Sequence, residues 1–251
     1  MSSFETEWRE RFDRFARTYS DEASISGWSV EGLKRRIDLF RTLIRPPRPG
    51  EPVVALELGC GPGTYVRLLG GLGYRAIGLD YSLVALGRAV AADPGGKGRY
   101  LAGEAYSLPC RSRSAELVVA IGVLQSLGSP ELALDEMARV LRPGGYLVVE
   151  ALNSRALVTR ARHAHARIRG LPRRVATYDP SDIESWLVAR GFVIERRAPL
   201  CLPPRNLPGL GRLLDFGPVR AAINRSSLVA DSLAHAVWFV GRRDGASASR
   251  A

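Results

Sequence analysis

Apolar residues recur along this chain in two alternating rhythms. Predominantly apolar runs at 53–58, 76–79 and 116–121 have the length of strands buried on both faces, and 99–102 makes another short one. The segment RPGGYLVVEAL supplies a turn and then a fifth buried strand. The stretches between them carry apolar residues at helical spacing. Residues 4–19 predict an amphipathic helix with Trp8, Phe12 and Phe15 on one face. Ser29 suits the N-cap of a second helix over 30–44, and RPPRPGE is a linker. Further helices are predicted over 64–69, from Ser82 to about 91, over 130–141, and from Asp179 and Pro180 to Gly191. Two last strands, 192–197 and 236–242, precede a tail at 244–251 that reads as frayed and disordered. Strands alternating with helices imply an α/β sheet, mostly parallel, with helices on both faces.

The first two strands frame an unusual turn. Gly59, Gly61 and Gly63 follow the first strand at alternate positions, and Asp80 stands at the tip of the second. Glycines let the backbone bend sharply and let a ligand lie against it. A carboxylate at that strand tip can accept two hydrogen bonds from ribose hydroxyls. A dinucleotide site spaces its glycines G-x-G-x-x-G, whereas this chain has G-x-G-x-G with Pro62 inside the turn and Thr64 where the third glycine should stand. The pattern points to a nucleoside without a pyrophosphate and argues against an NAD-dependent enzyme.

The run Glu57–Gly63 resembles motif I, E-x-G-C-G-x-G, of the class I S-adenosylmethionine (SAM) dependent methyltransferases. FDRFARTYSDEA is similar to the F-D-x-x-A-x-x-Y-D signature heading many small-molecule members, GEAYSLP to their G-D-A-x-x-L-P, and LRPGGYL to L-R-P-G-G-x-L. The likeness covers residues 12–200 well, and the ubiquinone- and menaquinone-biosynthesis-like group is the nearest. It implies a Rossmann-like, seven-stranded, mostly parallel sheet ending in a reversed C-terminal strand, a methyltransferase activity, and SAM as cofactor. The cofactor residues it implies are Tyr19, Glu57, Gly59, Cys60, Gly61, Gly63, Asp80, Tyr81, Glu104, Ala105, Ile121 and Gly122. Tyr19 either covers the cofactor or packs its helix on the domain. Glu104, in place of the usual aspartate, would accept from the adenine amino group, and Ile121 and Gly122 would offer carbonyls to the methionine amino group.

Composition narrows the rest. Residues 1–243 of the 251 read as one domain, with N-terminal helices over 1–45. No apolar run suits a membrane span and the charged start lacks a secretory centre, so a cytoplasmic location is expected. Cys60, Cys110 and Cys201 are widely spaced and, with three histidines, form no metal or disulfide framework. The net charge of +11 is carried by arginine, since only Lys34 and Lys97 are lysines. Two helical lid insertions, 153–178 and 199–233, fall at strand carboxyl ends, where such sheets place ligands. The first holds seven arginines, Arg155, Arg160, Arg162, Arg167, Arg169, Arg173 and Arg174, and no acid between Glu150 and Asp179. In a helix, Arg155, Arg162 and Arg169 would form a positive stripe. It suits an anionic acceptor, a lipid-linked acceptor reached by peripheral membrane contact, or solvent alone.

The acceptor is expected to be a small molecule methylated on oxygen or carbon. [N/D]-P-P-[F/Y/W], used on exocyclic nitrogens, is absent after the fourth strand, and so are a cysteine for cytosine C5 and the L-H-H of many relatives. An RNA substrate and a non-catalytic SAM-binding protein are the alternatives. The charge favours RNA, but no recognisable RNA-binding module accompanies it. An alcohol acceptor needs a proton acceptor. Candidates are His163, His165, Tyr178, Asp179, Glu150 and His235, of which His163 and His165 lie in the insertion facing the methyl donor.

Overall fold

A computed structural model of the chain describes residues 3–48, 50–172, 175–202, 218–219, 221 and 226–245. Arg173, Arg174, most of the second insertion and the tail from 246 lie outside the described residues. Seven strands form one sheet: β1 (Val54–Leu58), β2 (Arg75–Asp80), β3 (Gly98–Ala102), β4 (Ala115–Ala120), β5 (Leu141–Leu152), β6 (Phe192–Leu200) and β7 (Ala236–Arg243), in the order β3-β2-β1-β4-β5-β7-β6. Strands β1 to β5 pair in parallel, and β7 runs antiparallel to both β5 and β6. The chain leaves the central β1/β4 pair toward opposite edges. The cleft at their carboxyl ends is therefore the sheet's topological switch point.

Alternation along β7 shows how both faces are covered. Trp238 packs on one face with Phe40, Tyr65 and Leu69, and Phe239 on the other with Leu134, Met137, Ile183 and Leu187. The first group comes from α3 (Val30–Leu43) and α4 (Thr64–Gly71), the second from α6 (Pro130–Val140) and α8 (Pro180–Ala189). The further α-helices bounded within the described residues are α1 (Ser3–Thr18), α2 (Glu22–Ile25), α5 (Leu83–Ala91), α7 (Leu157–Ile168) and α9 (Ser227–Leu233). Ser29 and Ser82 cap as expected, accepting from the backbone N–H groups of Gly32 and Ala85. Gly70 holds α4 close to the chain entering β3, since a Cβ there would stand 2.2 Å from the Lys97 carbonyl oxygen. No helix among the described residues is long and apolar enough to cross a membrane.

Two expectations change. The R-P-G-G segment is not a turn ahead of the fifth strand but a bulge within β5: pairing with β4 jumps from Ala115↔Leu141 to Leu117↔Tyr146, and Gly144 takes φ +79°. Arg155 does not join a positive stripe, because α7 begins only at Leu157. It pairs with Asp179 at 2.7 Å and Asp231 at 3.4 Å, tying the insertion to α8 and α9.

Helix α1 spans the carboxyl edge of the sheet and is held there by polar bonds. Glu5 accepts from the Tyr106 hydroxyl and, at 3.1 Å, from Gly128 N–H. Asp13 accepts from the Ser82 hydroxyl, and the Ala16 carbonyl from Arg88 at 3.0 Å. Glu22 in α2 adds bonds from Thr64, at 2.5 Å, and Arg67. The amphipathic helix is thus fastened to loops that rim the switch point.

Candidate active site

Gly59 leaves β1 with φ +68° and Gly61 follows with φ +50°, backbone that residues with a Cβ rarely adopt. A Cβ on Gly59 would meet Val123 at 2.6 Å, whereas one on Gly61 would meet nothing within 4 Å. Gly61 lines a narrow cavity, so open space lies directly over its backbone. Asp80 stands beside the turn. Its Oδ2 accepts from Gly61 N–H at 2.8 Å and its Oδ1 from Ser82 N–H at 2.9 Å. Each oxygen keeps a lone pair for a further donor.

Glu57 reaches the same cavity from β1. It is 2% exposed, and its Oε2 has no hydrogen-bond partner. The Tyr81 hydroxyl is likewise buried without one. Burial raises the Glu57 carboxyl well above its usual range, and the nearby Asp80 charge raises it further. Burial also raises Asp80, against the opposing pull of the Ser82 and Gly61 N–H groups. The Cys60 thiol is pushed well up by burial and stays protonated, which removes it as a nucleophile. Two buried acids with no ion-pair partner among the described residues, beside a bare glycine backbone, fit a ligand that is positively charged and carries adjacent hydroxyls and an amine.

Glu57→Gln isolates this electrostatic strain. A carboxyl raised in the folded state contributes stability below its unfolded value, and that contribution is lost as pH rises through the folded value. Removing the ionisable group should therefore raise the ligand-free melting temperature at pH 8 by about 4 °C, near 1–2 kcal/mol for a chain of this size. It should also flatten the wild-type gain in stability on going to pH 5. Differential scanning fluorimetry at the two pH values checks this, and a lowered melting point at pH 8 would contradict it.

Of the residues the sequence singled out, Glu57, Gly59, Cys60, Gly61, Asp80, Tyr81, Ala105, Ile121 and Gly122 line this cavity. Gly63 does not: it caps α4 with φ +79°, and a Cβ there would strike Tyr100 at 2.8 Å. Tyr19 is 41% exposed and packs on Phe15 with ring centroids 5.7 Å apart. Glu104 is turned to an ion pair with Arg9, whose guanidinium also sits 4.5 Å from the centre of the Tyr81 ring. Sequence reasoning passes over Phe12, Ile25 and Trp28, which roof the cavity from the N-terminal helices. The aromatic stripe of α1 is the signal for Phe12, but it reads equally as a packing face.

The proton-acceptor candidates separate as well. Glu150 is fully buried and paired with Arg36 at 2.9 Å. Asp179 caps α8 and holds Arg155. The Tyr178 hydroxyl donates to the Leu124 carbonyl at 2.7 Å. His163 and His165 lie on α7, the first partly buried and the second exposed, and neither lines the cavity.

The model of the methyltransferase domain family matches residues 56–149, from within β1 to within β5. The chain carries a methyltransferase domain on the fold of SAM-dependent methyltransferases. This methyltransferase is 26% identical over 168 residues to the ubiquinone biosynthesis O-methyltransferase of Chelativorans sp., covering 64% of this chain and 66% of that one. It is 31% identical over 188 residues to the tRNA U34 carboxymethyltransferase of Methylococcus capsulatus, covering 68% of this chain but 49% of the other. The methyltransferase thus spans about two thirds of the first relative's length and about half of the second's. In fold it is similar to the magnesium protoporphyrin IX methyltransferase of Synechocystis, solved with bound S-adenosylhomocysteine. The TM-score is 0.64 and the identity 15%, over 96% of this chain and all of that one.

Proposed function

We propose that this methyltransferase moves the methyl group of SAM to an oxygen or carbon atom of a small, anionic acceptor. The buried Glu57–Asp80 pair, to which no described cation is ion-paired, lies against the Gly61 backbone and carries the reading. Asp80 would take the ribose hydroxyls, the free Glu57 oxygen the methionine ammonium, and the Ile121 and Gly122 backbone its other hydrogens. SAM supplies an already activated methyl, so the protein's task is to align the nucleophile with it and exclude water. The cavity, about 100 Å³, is smaller than the roughly 300 Å³ at the lower end of small-ligand sites. Admitting a nucleoside would therefore require α1 and α2 to shift outward, as a roof. A lipid-linked acceptor would suit α7, which exposes Leu157, Val158 and Ile168 beside its arginines.

Calorimetry with S-adenosylhomocysteine tests the cofactor assignment, and one-to-one binding is expected. Labelled SAM incubated with small-molecule extracts should give labelled product, and turnover separates an enzyme from a silent binder. The tRNA-modifying relative and the exposed Arg160 and Arg167 favour one second reading, an RNA substrate. Tight, steeply salt-dependent binding of tRNA would select it.

A further inference from the structure

At the end of the sheet opposite the cleft, where the parallel strands begin, lies a cavity of about 700 Å³. The turn entering β4, the bulge of β5, the end of α8 and the end of β7 enclose it. Among the described residues, four guanidinium groups line it, those of Arg113, Arg139, Arg190 and Arg243. Two are already neutralised: Arg139 pairs with Glu136 at 2.6 Å, and Arg190 with Asp135 at 2.8 Å. For Arg113 and Arg243, no carboxylate among the described residues lies within ion-pair distance. Exposed Asp244 is the other acid among the described lining residues.

The two unneutralised charges are neighbours. Burial, then the Arg113 charge, lower the Arg243 pKa, so the fold holds like charges close without an acid between them. Each is fixed in place. Arg243 donates to the Arg190 carbonyl, and its guanidinium stands 5.5 Å from the centre of the Phe192 ring. Arg113 takes φ +56°, the one left-handed backbone among the described residues other than glycine. Its N–H donates to the Arg139 carbonyl at 2.9 Å, and that of Ser114 to Val140 at 2.8 Å, so the turn is stapled to α6. Glycine or asparagine would take this conformation more readily than arginine. Among the described residues the Arg113 guanidinium has no hydrogen-bond partner, so packing gives no reason for an arginine there. Strained residues of this kind cluster at ligand sites.

A neutral donor and an apolar wall complete the lining. The Ser112 hydroxyl accepts from Arg139 at 3.2 Å and keeps its own hydrogen to give. Leu141, Pro143 and Val188 form the apolar side. A phosphate dianion suits two adjacent guanidiniums better than a singly charged group does, because it neutralises both.

We propose that this cavity binds a phosphomonoester, with Arg113 and Arg243 pairing its phosphate, Ser112 donating to it, and the apolar wall holding the attached carbon skeleton. Gly61 and Asp80 lie at the other end of the strands, so this ligand is neither methyl donor nor acceptor. The proposal is independent of the methyltransferase reading and stands whether or not S-adenosylhomocysteine binds.

The test is calorimetry on the full chain with phenyl phosphate and the diester methyl phenyl phosphate, at about pH 7.5, where the monoester is a dianion. Phenyl phosphate should bind with a Kd below about 1 mM, and at least about 10-fold more tightly than the diester, whose single charge neutralises only one guanidinium. Arg113→Asn should lose about 10-fold of that affinity yet melt no lower than wild type, since asparagine tolerates the left-handed backbone. Arg243→Gln should lose about as much, with its melting temperature as the folding control. Equal affinity for monoester and diester, no measurable binding of phenyl phosphate by the wild type, or undiminished binding by Arg113→Asn would overturn the proposal. An RNA oligomer without terminal phosphates that binds more tightly than phenyl phosphate, and is released by Arg113→Asn, would overturn it in favour of a contact with phosphodiester backbone.

Discussion

Asp80→Ala should lower the affinity for S-adenosylhomocysteine by about 100-fold, close to 3 kcal/mol, measured by calorimetry. Two losses combine in that number. The carboxylate is the group placed to accept from both ribose hydroxyls, and bonds to a charged acceptor are each worth about 1.5–3 kcal/mol. The same oxygens also hold Gly61 N–H and Ser82 N–H, so alanine frees the glycine bend as well as emptying the ribose position. Melting temperature should therefore fall together with affinity. Unchanged affinity with a lowered melting point would leave Asp80 as a staple of the turn and remove it from the binding site.

Arg36→Met should destabilise the protein more than any surface charge change. Arg36 is 2% exposed and Glu150 fully buried, and they meet through a hydrogen bond of 2.9 Å from Nε and a second nitrogen at 2.9 Å. Methionine would leave Glu150 as a lone charge in the interior, at a cost of about 3–5 kcal/mol, or a drop on the order of 10 °C in melting temperature. The double variant Arg36→Met with Glu150→Met removes both charges at similar volume and should recover most of that loss. Urea titration of the two singles and the double gives the coupling directly. A double variant as unstable as Arg36→Met alone would show that the arginine matters through its packing on Trp28 rather than through its pair.

Asp80 and Arg36 stand on opposite sides of what the residue order reveals. Glu57, Gly59, Gly61 and Asp80 belong to one β-turn-α-β unit, and β1 and β2 pair with Glu57 beside Gly78, so the two acids reach one cleft through short-range geometry. Glu104 carries an equally clear motif, yet the structure turns it to Arg9, a residue 95 positions away. His163 and His165 stand in the arginine-rich insertion, while the histidine that lines a cavity beside the cleft is His235, just ahead of the last strand.

The strand–helix alternation, the glycine bend, the acid at the second strand tip and the serine caps are all readable from the order of residues alone. Each depends on neighbours within a few residues, where burial period and backbone preference act. Folding in three dimensions was needed to settle which face of α1 roofs the cleft, that Arg36 meets Glu150 across 114 positions, and that Trp28 divides two cavities. An aromatic stripe or a lone arginine looks the same along the chain whether it meets solvent, core or ligand. What it meets is set by packing between elements far apart in sequence, and periodicity carries no record of that.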